Sequence, residues 1–218
     1  MDIFEALYTT RAMRRVKPDP IPMDVQARIL DAAVRAPSGG NSQGWRFLLV
    51  DDRDIITQLA PLYRDSVDKL WSLVYADRVE AARANPDAPE HAATLRMVKS
   101  VEWMADNLTE IPLLLFAFAR GDSGGGSTWP AIWSAQLAAR AFGVGSAPTS
   151  ILGAFHQEES FKILGVPADK GWSMMAMVSF GYPKGRWAVA ERRPAHEVAY
   201  RNQWGADPGF STPTPLWP

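Results

Sequence analysis

Apolar residues recur at helical spacing in two early stretches, Ile3 to Tyr8 and Met23 to Ala36, the second through Val25, Ile29, Leu30 and Ala33. Between them Pro18, Pro20 and Pro22 impose an extended connection, because proline fixes its own φ and biases the residue before it away from helix. Arg46 to Val50 reads as a short strand. From Asp54 to Tyr75, Ile55, Ile56, Leu59, Leu62, Val67, Leu70, Trp71 and Val74 form a helical stripe, with Pro61 as the place for any break. Ala76 to Pro89 turns polar. A further helix is expected over Ala92 to Asn107, where Leu95, Val98, Val101 and Met104 recur near helical spacing.

Pro112 to Ala119 is a continuous apolar run bounded by proline and by glycine-rich sequence, which predicts a central strand. Gly121 to Thr128 reads as a loop, Pro130 to Phe142 as a helix with proline in its first turn, and Gly143 and Gly145 as its stop. Glu158 to Leu164 predicts a short helix, Trp172 to Phe180 a second apolar strand, and Gly181-Tyr182-Pro183 a turn. The pattern fits either a doubly wound α/β sheet or an α+β fold with a mixed sheet. One domain is expected over residues 1–206. The tail 207–218 holds four prolines and little periodicity, which predicts an extended arm.

Composition narrows the function classes. Lys and Arg number 23 against 24 acidic residues, so the chain lacks the positive field that a nucleic acid partner requires. Its strongest apolar stretch, Ile111 to Ala119, is far shorter than the ~20 residues of a membrane helix. The first five residues carry two acids and no basic cluster, so no secretory signal is read and a cytoplasmic location is expected. With no cysteine, disulfides, thiolate metal sites and a cysteine nucleophile are excluded. His91, His156 and His196 lack any paired metal-ligand spacing, so no metal site is expected.

Three stretches carry candidate chemistry. Gly121-Asp122-Ser123-Gly124-Gly125 matches a nucleophile elbow, with Asp169 and His196 downstream in hydrolase order. Against a serine hydrolase built on Ser123, an elbow runs directly into its helix, whereas Gly126 to Trp129 intervene here. Arg11, Arg14, Arg15 and Lys17 form one basic cluster and Arg192-Arg193 a second; guanidinium pairs suit phosphate, and a solvated face is the plainer alternative. Ala36 to Arg46 is turn-rich, and the amides of Asn41 and Gln43 can pair with a heteroaromatic edge.

Taken in order, these segments resemble the nitroreductase family. Thr10-Arg11-Ala12-Met13-Arg14-Arg15-Val16-Lys17-Pro18 is similar to its opening R-R-S-x-R-x-F, and Ala36 to Trp45 to its A-P-S-x-x-N-x-Q-P-W. Pro130 to Ser150 is similar to its P-x-x-Q-N-x-x-L-A-A-x-x-L-G-L-G and the threonine-rich turn that follows. Phe180 to Pro183 and Arg192-Arg193-Pro194-Ala195-His196-Glu197-Val198 resemble its closing G-Y-P and R-R-P-L-x-E-V. Gly44, Val16 and Ser134-Ala135-Gln136 depart from the usual proline, phenylalanine and Q-N.

The resemblance implies an α+β nitroreductase-like fold, a central mixed sheet flanked by helices in an intertwined homodimer, with FMN in a site shared by two subunits. It assigns the FMN phosphate to Arg11 and Arg14 with Arg192; Arg15 or Arg193 takes a neighbour's place if the alignment shifts by one. Ala12, beside Met13, stands where serine is usual and offers only its backbone. Asn41 would face the ring and ribityl chain with Ser38 and Gln43 beside it, and Pro148, Thr149 and Ser150 would approach the pyrimidine edge. The implied activity is ping-pong hydride transfer from NADH or NADPH to a small aromatic or conjugated acceptor of the nitroaromatic or quinone type. A non-catalytic flavin-binding protein is the other reading. Residues 63–110 would form the variable lid over the pocket, and Trp71, Trp103 and Trp129 are candidates to stack on substrate or to fill the core.

Overall fold

The computed structural model describes residues 1–122 and 124–217. The chain divides into two compact units, Arg11–Arg186 and a smaller one made of Met1–Thr10 with Trp187–Pro218. In the larger unit, helices α2 (Met23–Ala33), α3 (Arg53–Lys69), α4 (Ala76–Ala84), α5 (Ala92–Asp106), α6 (Thr128–Ala141) and α7 (Ile151–Leu164) surround four strands. These are β1 (Trp45–Val50), β2 (Leu113–Ala119), β3 (Gly145–Thr149) and β4 (Ser173–Gly181), in the order β1-β2-β4-β3. The architecture is α+β. Every pairing between the four strands is antiparallel, and the parallel part of the mixed sheet expected from sequence is a single bridge, Ala12 to Ser146.

The strand read as central is β2, paired on both sides and buried along its whole length. Its side chains alternate between two cores. Leu114, Phe116 and Phe118 join the core with α3, α5 and α7, while Leu113, Leu115 and Ala117 join the one with α2 and α6. A sheet covered on both faces needs apolar residues at every position, so the run has no polar alternation. In β4 the register slips beside Ala117 and Phe118, leaving Met175 without a counterpart. The bulge puts Met174 and Met177 on one face although they are three residues apart.

Three elements differ from the sequence reading. The polar stretch after Tyr75 contains α4, which buries only Val79 and Ala82; alanine, arginine and glutamate give it propensity without an apolar stripe. The expected stop at Gly143 and Gly145 leads directly into β3, an edge strand that tolerates Pro148 because one side of it needs no ladder bond. Helix α7 starts at Ile151 rather than Glu158, and non-helical angles at His156 kink it. Pro61 does not break α3, which continues into a π-helical turn over Leu70–Val74.

In the smaller unit, helix α1 (Ile3–Thr9) is followed along its edge by the C-terminal segment, with the Ala190 N–H donating to the Tyr8 carbonyl at 2.9 Å. Tyr8 and Trp217 bring their rings to 5.8 Å. The tail from Asp207 has neither helix nor strand among its described residues. Ile3, Phe4, Val198, Trp204 and Leu216 are all exposed here, and Trp204 is 92% accessible.

Candidate active site

The basic segment that follows α1 is laid across the ends of β3 and β4. The Met13 N–H donates to the Ser146 carbonyl at 2.9 Å, the Lys17 N–H to Tyr182 at 2.8 Å, and the Lys184 N–H to Arg15 at 2.9 Å. So close an approach needs glycine on the strands: a Cβ at Gly145 would lie 2.9 Å from the Met13 Cβ, and one at Gly181 2.7 Å from the Val16 Cβ. Met13 and Val16 are thereby buried, Arg11, Ala12 and Arg15 are exposed, and Arg14 is half-buried.

Arg14 lines a cavity of about 450 Å³. The end of α3 and its π-helical turn contribute Tyr63, Leu70, Trp71, Val74 and Tyr75, α5 contributes Met97 and Val101, and α6 contributes Trp129. The remaining wall is Pro148, Thr149 and Ser150 with the first turn of α7. Two segments far apart in sequence, the arginine signature and the threonine-containing turn, therefore meet at one aromatic-walled cleft. Two of the three tryptophans singled out from sequence line it as well.

The electrostatics of the cleft are one-sided. No carboxylate appears among its described lining residues, so Arg14 faces the cavity without an acidic partner. Loss of water around its guanidinium lowers its pKa from the usual arginine value. Helix α7 begins immediately after the turn and adds the partial positive charge of a helix N-terminus, which favours an anion or an electron-rich edge. Tyr63, 1% accessible, lines the same cleft, and burial pushes its pKa up to about 12 against the opposing charge of Arg14. Nothing in the periodicity marks Tyr63 as part of the cleft wall, because it occupies a core position of the α3 stripe; the hydroxyl on that stripe was the available signal.

Other sequence candidates lie elsewhere. Ser38, Asn41 and Gln43 do not line the cleft. Their loop is self-bonded, the Gln43 side-chain amide donating to Asn41 Oδ1 at 3.1 Å, with Asn41 and Gln43 at φ 53° and 48°. It docks beside the start of α6, where the Gly39 N–H donates to Ser127 Oγ at 3.2 Å, two residues before Trp129. Trp103 is half-buried with the Lys184 ammonium 5.0 Å from its ring centre. Arg192 and Arg193 are exposed in the smaller unit, where the Arg192 guanidinium donates to the Glu191 carbonyl at 2.7 Å. Ser123 lies outside the described residues. Its neighbour Asp122 accepts hydrogen bonds from the Ser127 and Thr128 backbone and the Thr128 hydroxyl, and these hold its pKa below the usual carboxylate value.

A larger cavity of about 680 Å³ lies on the other side of Trp71, with Asp68, Glu80 and Glu102 among its lining residues. Its one guanidinium, Arg83, is paired with Glu102 at 2.9 Å, so that cavity offers an anion nothing. Among the described residues, no helix is long and apolar enough to cross a membrane.

Comparison with known proteins agrees with this fold. The chain is 29% identical to an NADH dehydrogenase of Thermus thermophilus, over 91% of this chain and 95% of that one. It is 31% identical to a 5,6-dimethylbenzimidazole synthase of Rhodospirillum rubrum, over 92% and 94%. Among solved structures it resembles an iodotyrosine deiodinase bound to FMN and 3-iodo-L-tyrosine, with a TM-score of 0.71, 24% identity and 93% and 99% coverage. An FMN-dependent nitroreductase of Mycobacterium smegmatis in complex with NADPH superposes with a TM-score of 0.61 at 20% identity, over 86% and 93%. The sequence profile of the Nitroreductase family matches residues 7–182, and the chain belongs to that family.

Proposed function

We propose that this protein is an FMN-dependent oxidoreductase that carries hydride from NADH or NADPH to a small planar acceptor in a ping-pong cycle. One observation carries the reading: Arg14, a guanidinium without a carboxylate partner, faces an aromatic cleft beside a helix N-terminus. A cleft of that kind suits a flat, electron-rich heteroaromatic group, and its volume is within the usual range for a small-molecule site, about 300–1,000 Å³. FMN, when bound, supplies the two-electron chemistry at its N5 position.

The chain's own residues then have distinct tasks. Arg14 lies with Pro148, Thr149 and Ser150, which supports a place at the pyrimidine edge rather than at the phosphate, where positive charge favours the more electron-rich redox form. Phosphate binding falls to Arg11, exposed on the same segment, with Arg192 or Arg193 of either protomer. Ser38, Asn41 and Gln43 are retained as contacts to the ring and ribityl chain, because left-handed angles at two non-glycine residues are the kind of local cost seen at ligand-binding loops. Trp71 and Trp129 exclude water and offer faces to a planar acceptor. The region 63–110 covers the cleft, and the exposed apolar side chains of the smaller unit bury against a second copy to form the homodimer.

The test is a visible spectrum of the purified protein before and after anaerobic addition of each nucleotide. Yellow colour that bleaches with NADH or NADPH is the expected result. Yellow colour that neither nucleotide bleaches indicates a flavin-binding protein without this activity. A colourless protein labelled at Ser123 by a fluorophosphonate indicates a hydrolase.

A further inference from the structure

Helix α7 changes direction at a residue that another helix grips. Its backbone leaves helical angles at His156, with φ −141° and ψ 38°. Helices kink for identifiable local reasons, and α7 contains no proline. The His156 ring is instead held from α3: Nε2 lies 2.5 Å from Asp65 Oδ2, and the same carboxylate takes the Lys69 ammonium at 2.6 Å. A carboxylate only accepts, so Nε2 carries the proton and donates it to Asp65. Lys69, 3.3 Å from that nitrogen, finds no lone pair there and gives its proton to Asp65. Nδ1 is buried without a hydrogen-bond partner, and Glu159 Oε1 stands 3.8 Å away, beyond hydrogen-bond distance. A second proton would place a buried charged donor there with nothing to receive it, so the arrangement fits the neutral ring.

Both anchor points adjoin the cleft wall along the chain. Phe155, next to His156, lines the cleft with Ile151 and Ala154, and Leu70, next to Lys69, lines it with Trp71 and Val74. We infer that His156 is a positioning residue: neutral and donating to Asp65, it fixes the kink that sets the first turn of α7 against the cleft, and a second proton at Nδ1 loosens that setting. The inference rests on the FMN reading of the cleft, which His156 itself does not line. Among the described residues, the charged groups facing the ring are Asp65 and Lys69 from α3 and Glu159 from α7; β4, which also packs on α7, carries none. Protonation would draw Nδ1 toward Glu159, about one turn further along the same helix, and so pull on the kink.

The experiment measures FMN dissociation constants from the flavin fluorescence released on diluting the holoprotein. Wild type, Asp65→Ala, His156→Leu, the Asp65→Ala/His156→Leu double variant and His156→Gln are compared at about pH 8 and about pH 5.5, on either side of the range in which an imidazole titrates. At the higher pH, Asp65→Ala and His156→Leu should each weaken binding about three- to thirtyfold, the usual span for coupling through packed side chains. The double variant should bind no more weakly than the more affected single variant, since the two residues act as one clamp. His156→Gln offers Asp65 an amide donor and takes no proton, so at the higher pH it should bind FMN as wild type does. On acidification, wild type should lose about threefold more affinity than His156→Gln. The FMN phosphate titrates in the same range, but its contribution is common to both proteins and cancels in the comparison. Asp65 is about half exposed, so Asp65→Ala leaves the core intact and keeps the test decisive should His156→Leu fail to fold. Wild-type affinity in Asp65→Ala, or equal pH dependence in wild type and His156→Gln, overturns the inference and leaves the FMN reading intact. A wild-type protein that takes up no FMN overturns both.

Discussion

The carboxylate of Asp122 accepts both the backbone N–H and the hydroxyl of Thr128, at 2.8 and 2.7 Å, and so caps α6 from outside its first turn. In the Gly-Asp-Ser-Gly-Gly stretch, the acid therefore works as a helix cap, satisfying amides that a helix start leaves without partners. Asp122→Ala should cost about 0.5–2 kcal/mol of stability, the usual range for losing a capping side chain. Since the folded-state pKa is depressed, this contribution is present above the unfolded carboxylate pKa and disappears as the pH falls through the folded one. Urea unfolding of the wild type and Asp122→Ala should therefore differ at pH 7 and converge in acid.

Gly153 of α7 packs directly on β4. A Cβ there would lie 2.5 Å from the Met174 carbonyl oxygen, which belongs to strand backbone and cannot swing aside. Gly153→Ala should destabilise the fold by about 1–3 kcal/mol through overpacking, in spite of alanine's better helix propensity. Thermal unfolding checks this, and an unchanged or raised midpoint would contradict the close packing of α7 on β4.

Tyr63 should stay protonated in alkali that ionises ordinary tyrosines. Its pKa is raised to about 12, so its contribution to stability is complete below the unfolded value near pH 10 and is lost as the pH rises toward 12. In a phenolate absorbance titration, Tyr63→Phe should lose amplitude only from the most alkaline part of the curve. Loss of amplitude near pH 10 would place Tyr63 in contact with water.

The arginines should separate by function. Arg14→Met keeps an unbranched stem but removes the charge, and should weaken FMN binding about 10–100-fold, as expected for a hydrogen bond to a charged group. Arg11→Ala combined with Arg192→Ala should yield apoprotein if these two hold the phosphate. Flavin content after gel filtration reads both outcomes. Stoichiometric FMN in the double variant would remove the phosphate assignment, and unchanged affinity in Arg14→Met would remove the charge argument for the cleft.

Truncation before Asp207 should weaken dimerisation and flavin retention together. The removed segment exposes Phe210 and Leu216, apolar area that a partner subunit would cover. Sedimentation of the truncated and full-length chains at several concentrations checks this. A truncated protein that stays dimeric and fully loaded with FMN would mean that the arm has no part in assembly.

The sequence by itself determined where the polypeptide is most apolar and which local signatures it carries. The unbroken run in β2 and the stripes of α2, α3 and α5 were legible because burial on both faces of a strand, or on one face of a helix, leaves a periodic trace. Elements stabilised in other ways left none: α4 rests on propensity, and β3 is a glycine- and proline-containing edge whose register is set by β4. The tertiary structure alone decided that Arg14 and Thr149 share a cleft, that Asn41 and Gln43 stand outside its wall, that Asp122 is a cap, and that Tyr63 is a polar member of an apolar stripe. Proximity across 135 residues, from Arg14 to Thr149, is fixed by sheet order and by glycines that admit close backbone approach, and neither produces a periodic signal along the chain.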